Sequence, residues 1–257
     1  MESPRLHFVP TGELKLAVWE WPGESPALLF AHATGFHGRC WDHIVRRFPG
    51  RRALALEFRG HGRSTIPTPP IPWPEFAQDV LAVAHYFGLR EVLGVGHSMG
   101  GHSLVSAAIL QPAIFSALVL VDPVIMPREY YRAPPPDASY IARRRNGFAS
   151  PDEMFERFRA RLPFSAWRPE ALRKYCDYAL LPDGDSFRVA ELFTNDACVD
   201  NTLRLNDAGA RYSVPRILPE CEPGHRVQML ARVEMPDHTT RYSAIDFPVW
   251  YRNGEKK

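Results

Sequence analysis

Apolar and polar positions in the first half of the chain follow two alternating periods. Residues 14–19 (LKLAVW) alternate as a half-exposed strand does, whereas residues 27–31 (ALLFA) form an unbroken apolar run, expected of a strand covered on both faces. Residues 41–48 (WDHIVRRF) have the spacing of a short amphipathic helix, and residues 53–58 (ALALEF) read as another strand. A longer helix is expected over 74–89, a strand over 91–95, a helix over 99–110 and an apolar strand over 117–121 (ALVLV). Strand and helix in repetition predict an α/β fold, with a mostly parallel sheet flanked by helices.

The pattern changes after Asp122. A loop is marked by Pro134-Pro135-Pro136, and Ser150-Pro151-Asp152-Glu153 combines an N-cap serine, proline at the first helical position and glutamate three residues after the cap. Helices are expected over 152–162 and 169–180. Placed after a core strand, such a helical insertion reads as a lid over an active site, the alternative being helices that simply pack on the sheet. Beyond residue 181 a turn at Asp183-Gly184 joins two short strands. The fragments at 189–193 and 213–218 are broken by charge or proline, and no later apolar run matches the four upstream. The chain therefore divides into residues 1–122, the first part of the core; 123–181, the helical lid insertion; and 182–257, a C-terminal part of the core that is divergent or incomplete.

At 257 residues and 45% hydrophobic, the chain is long enough for one large domain carrying an insertion. The 31 basic and 29 acidic residues leave a net charge of +2, which points away from nucleic acid and from membrane surfaces as partners. Cys40, Cys176, Cys198 and Cys221 are scattered without CxxC spacing, so neither a zinc site nor a disulfide framework is signalled. With neither a signal-peptide pattern nor a long apolar span, a cytoplasmic location is expected.

Chemistry enters at Gly96-His97-Ser98-Met99-Gly100, where an apolar strand stops and a helix starts. A nucleophilic serine must stand clear of its neighbours, so that a base reaches one side and substrate the other. A sharp strand-to-helix turn does this, and glycines two before and two after let strand and helix approach. The helix also aims its first amides at a developing oxyanion, and the Met99 N–H is one candidate donor.

These residues resemble the nucleophile elbow of the α/β-hydrolase superfamily. His32-Ala33-Thr34-Gly35-Phe36-His37-Gly38, directly after the buried strand, is similar to that superfamily's oxyanion loop, with Ala33 where glycine is usual. The resemblance implies the Thr34 N–H as the second oxyanion donor. Arg59-Gly60-His61-Gly62-Arg63-Ser64 is similar to a segment whose role is mostly structural, which implies that Arg59 and His61 hold loops. The resemblance covers about residues 6–181. Serine rather than aspartate at position 98 also separates the chain from the dehalogenases and epoxide hydrolases of that fold.

In this superfamily the nucleophile is followed in the chain by an acid and then a histidine. Only His102, His225 and His238 lie beyond Ser98. His102 is tied to the helix that starts at the elbow. His225, in Pro223-Gly224-His225-Arg226-Val227, resembles the superfamily's base more than His238 does. For the acid, Asp196 comes first, then Asp122, then Asp200. The expected function is hydrolysis of a carboxylic ester or related small-molecule acyl substrate through an acyl-enzyme on Ser98, without metal or cofactor. Phe36 and Trp41 are expected to line an apolar substrate site, with Tyr130-Tyr131 contributed by the lid. The alternatives are a C–C bond hydrolase of the same fold, and an inactive or binding homologue lacking a complete triad. Oligomeric state is not readable from the chain.

Overall fold

A computed structural model describes residues 3–68, 71–125, 145–162, 164–183, 186–189, 228–234, 240–245, 251–252 and 255–256. Six strands precede residue 126: β1 (Arg5–Thr11), β2 (Leu14–Trp21), β3 (Glu24–Ala31), β4 (Arg51–Leu56), β5 (Val92–His97) and β6 (Phe115–Val121). They join β10 (Gln228–Glu234) and β11 (Thr240–Ile245) in an eight-stranded sheet of order β1-β2-β4-β3-β5-β6-β10-β11. From β4 through β3, β5 and β6 to β10 the pairing is parallel. The edges, β1 on β2 on β4 and β11 on β10, are antiparallel.

The unbroken apolar run of β3 has a direct structural counterpart. Leu29 and Ala31 face one core, with Leu54 and Leu56 of β4, while Leu28 and Phe30 face a second core with Ala53, Ala55, Trp19 and Trp21. Over the first core lie α2 (Pro74–Tyr86) and α3 (Met99–Leu110), which contribute Phe76, Val80, Leu104 and Val105. On the second lie a 3-10 turn, Gly38–Trp41, and the single-turn helix α1 (Asp42–Val45). The helix expected over 41–48 is thus much shorter, because the chain leaves it through turns closed by Arg47 N to Ile44 O and Phe48 N to Val45 O.

Between β6 and the C-terminal strands lies a helical segment with a core of its own. It comprises α4 (Pro151–Arg159) and α5 (Pro169–Ala179), with a small sheet of β7 (Gly147–Phe148), β8 (Leu180–Asp183) and β9 (Ser186–Val189) in the order β7-β9-β8. β8 and β9 pair antiparallel with Asp183 opposite Ser186, as the expected turn requires. Phe148, Met154, Leu172, Tyr175, Cys176 and Ala179 are buried together, and Phe36 and Cys40 of the main core pack against them. The segment is therefore docked on the loop that follows β3. A further pair, β12 (Tyr251–Arg252) and β13 (Glu255–Lys256), is antiparallel. Among the described residues no helix is long and apolar enough to cross a membrane. The fragments at 189–193 and 213–218 fall, apart from Val189 of β9, outside the described residues. The β10 strand was not anticipated from the sequence.

Candidate active site

Ser98 sits between the end of β5 and the first residue of α3 with φ 51° and ψ −114°, a conformation that β-carbon-bearing residues rarely adopt. Holding a serine there costs of order 1–3 kcal/mol, so its surroundings must enforce it. The Ser98 N–H donates to Val121 O (2.9 Å), and Ser98 O accepts from His102 N (3.1 Å) and Val124 N (3.2 Å). The flanking glycines supply the room. A Cβ on Gly100 would run into the carbonyl of Ala31, and one on Gly96 would lie 2.7 Å from the Gly100 carbonyl oxygen and from Gly101 Cα. Ser98 is left half-buried at the C-terminal end of β5, an interior strand of the sheet. As the first residue of α3, Met99 presents an amide with no intrahelical acceptor.

The loop after β3 leaves the same end of the parallel strands. Phe36 N donates to Ala33 O (3.1 Å), and Gly35, third in this turn, has φ 79°, the requirement of a type II turn. His32 Nδ1 also bonds Ala33 O (2.8 Å), while His32 Nε2 receives the Phe58 N–H (3.1 Å). The second bond makes Nε2 an acceptor, so the proton resides on Nδ1 and the ring is neutral. Burial, followed by the neighbouring His61, holds the His32 pKa well below its ordinary value. A trans peptide directs N–H and C=O to opposite sides, so two donors fixed on Ala33 O turn the Thr34 N–H the other way. Thr34 itself is half-buried.

Arg59 and His61 are engaged in the framework. Arg59 donates to both carboxylate oxygens of the buried Asp79 on α2 and to Glu75, and His61 Nδ1 lies 3.1 Å from Arg59 O. Beneath them, fully buried Glu57 accepts from Trp19 Nε1 (2.8 Å), Arg63 N (2.7 Å) and Gly38 N (3.3 Å). Burial raises the Glu57 pKa against the effect of those bonds.

Phe36 stands beside the elbow, its ring 5.8 Å from that of His97. It also stacks on Trp167 (5.5 Å, 16° between planes) and tilts against Tyr175 (5.5 Å). Trp41, expected next to it, instead packs on Phe30 (5.1 Å) in the second core, because the 3-10 turn directs it to the face of the sheet. The rings of His97, Phe36 and Trp167 thus form a row of contacts that starts at the residue before Ser98. The sequence reading missed His97 and Trp167, since neither belongs to a motif that marks a ring as site-facing. Asp122 ends β6 with φ 42° and is exposed; its charge opposes the burial that lowers the His97 pKa. His102 is buried edge-on against Trp73 (4.8 Å), with neither ring nitrogen bonded among the described residues, and burial lowers its pKa to about 4. His225, His238, Asp196, Asp200 and Tyr130-Tyr131 lie outside the described residues. Among the described residues no three metal-ligating side chains converge.

Comparison with known proteins agrees with this architecture. Over 82 residues the chain is 37% identical to a bifunctional esterase/perhydrolase of Acinetobacter calcoaceticus, covering 31% of this chain and 30% of that protein. Over 124 residues it is 30% identical to an esterase of Mycobacterium tuberculosis, covering 46% and 39%. The matches thus span less than half the length of these curated relatives. The crystal structure of E-2-(acetamidomethylene)succinate hydrolase superposes with a TM-score of 0.67 at 21% identity, covering 88% of this chain and 80% of that one, a likeness of fold. The description of the alpha/beta hydrolase family matches residues 28–241, more than half of the chain and inclusive of both Ser98 and the loop after β3. The chain belongs to the alpha/beta hydrolase family.

Proposed function

We propose that the protein is a serine hydrolase that cleaves a carboxylic ester, or a related acyl substrate, through an acyl-enzyme on Ser98. The observation that carries this reading is the backbone of Ser98, held at φ 51° by bonds to Val121, Val124 and His102 where α3 begins. A structural serine has no need of that conformation. In the proposed reaction His225 takes the Ser98 proton as Oγ bonds to the acyl carbon. The negative oxygen of the tetrahedral intermediate is bound by the Thr34 and Met99 amides, each worth roughly 3–4 kcal/mol to the transition state. The C–O bond then breaks, the alcohol leaves with the proton, and water enters to release the acid and restore Ser98. Asp196 or Asp122 orients the base.

The rings of Phe36 and Trp167 support an apolar or aromatic acyl group, and residues 123–181 serve as the lid over it. A fluorophosphonate probe tests the reading. One label per chain, absent from Ser98→Ala, is expected together with turnover of short-chain aryl esters. Loss of both in a folded His225→Ala variant is expected as well. A folded protein that takes no label sinks the proposal, and turnover of vinylogous dicarbonyl compounds in preference to esters turns it towards C–C hydrolysis.

A further inference from the structure

The geometry points to Tyr175, on α5, as a positioning residue for the Thr34 amide, acting through two peptide planes. The inference rests on the proposed acyl-transfer reading of Ser98. The Tyr175 hydroxyl donates to Gly35 O (3.1 Å) across 140 positions of sequence. Gly35 C=O and Phe36 N–H belong to one rigid peptide, and that N–H donates to Ala33 O (3.1 Å). Ala33 C=O and Thr34 N–H belong to a second peptide, at the other end of the turn. Fixing the first plane therefore fixes the second, and with it the direction of the proposed oxyanion donor. Each bond in such a chain also polarises the next, so a donor on Gly35 O strengthens donation by Thr34.

The grip is mutual. His37, two residues beyond Gly35, has its Nε2 3.0 Å from Tyr175 O, a bond in which the ring donates and the carbonyl accepts. The His37 and Tyr175 rings stack at 5.5 Å with 17° between their planes. Tyr175 is 1% exposed, so water does not substitute for Gly35 O as its partner. The helix itself is anchored one turn on, where the Arg39 guanidinium lies 4.0 Å over the Tyr178 ring and Arg63 Nη1 donates to Tyr178 O (3.4 Å). Packing alone would be served by phenylalanine at 175. The hydroxyl is what couples docking of the helical segment to the turn at 33–36.

Tyr175→Phe separates the two roles. In hydrolysis of a short-chain aryl ester kcat is expected to fall about tenfold with KM within about twofold, less than the roughly 10²–10³-fold that follows removal of a whole donor, because the amide is loosened and not lost. Affinity for an aryl boronic acid, which forms a tetrahedral adduct on the serine, is expected to fall by a similar factor, while the product carboxylate binds as before. Placing 3-fluorotyrosine at 175 keeps the ring and strengthens the hydroxyl as a donor, and is expected to retain full kcat. An unchanged kcat in Tyr175→Phe, a loss confined to KM, an equal loss with 3-fluorotyrosine, or failure of Tyr175→Phe to fold each overturns the positioning role. If wild-type protein takes no label at Ser98, the acyl-transfer reading falls and this inference with it. If wild type and Tyr175→Phe are labelled equally fast, this inference falls alone.

Discussion

Ser98 keeps its strained backbone because the residues around it leave no alternative. Gly100 is the tightest of them: the strand above passes so close that a single methyl group would meet the Ala31 main chain. Backbone does not give way as a side chain does, so the strand and helix must separate. Gly100→Ala is expected to cost about 4 kcal/mol or more, the range reserved for substitutions with an identifiable steric cause. Gly147→Ala, where nothing lies within 4 Å of the added carbon, is expected to stay within about 0.5 kcal/mol of wild type. Urea unfolding of the two variants beside wild type measures both. Equal losses would show that the approach of β3 to α3 has slack that the spacing does not suggest.

At the scale of the element, what was legible followed from local pattern. β3, β5 and β6 showed as apolar runs because helices cover both faces of the sheet, and α3 began at Met99 as the elbow required. Both β1 and β10 went unread. In β1, Pro10 and polar alternation hide an edge strand, and in β10 Gln228, Arg232 and Glu234 interrupt the apolar positions of a strand that nonetheless pairs on both sides. The start of α4 was legible to the residue, since Ser150 Oγ accepts from Glu153 N (3.1 Å). The Glu153 carboxylate reaches one residue further back than a standard capping box, to Ala149 N (2.7 Å). Ser150→Ala is expected to lower stability by about 1 kcal/mol, read as a shift in denaturation midpoint at constant slope. A change below about 0.3 kcal/mol would mean that the proline at N1 and the Arg145–Glu153 pair suffice. The candidate site could be proposed from Ser98, Thr34 and Phe36, which lie in motifs. Trp167 and Tyr175 lie in none. In α5, Tyr175 falls on the apolar face with Leu172, Cys176 and Ala179, and spacing says nothing of where a hydroxyl points.

For the molecule as a whole, the buried imidazoles tie stability to pH. His37 is held to about 3 by burial, which overrides the opposing bond to Tyr175 O, with the Arg63 and Arg39 charges adding to the lowering. Its ordinary value is 6.5, so between these limits the unfolded chain takes up a proton that the folded one refuses. Stability from this residue is therefore complete above pH 6.5 and declines as pH falls towards 3, by up to about 1.4 kcal/mol per pH unit. His37→Gln retains a donor for Tyr175 O and removes the titration. Between about pH 6 and pH 4 its unfolding free energy is expected to fall less steeply than that of wild type by about that amount per unit. Parallel slopes would show that His37 is protonated in the folded protein.

The sheet also acts as a ruler. Ser98 leaves β5, the turn at 33–36 leaves β3, and Asp122 leaves β6, three adjacent parallel strands whose ends point the same way. With about 4.8 Å between neighbours, the two flanking loops stand roughly 10 Å apart, with the serine midway. In the proposed reaction, a carbonyl attacked at Ser98 with its oxygen towards Thr34 would lie across the strands, oxygen on the β3 side and the opposite flank on the β6 side. The spacing of main-chain hydrogen bonds, fixed before any side chain is chosen, thereby sets both the span and the handedness with which a substrate can be presented.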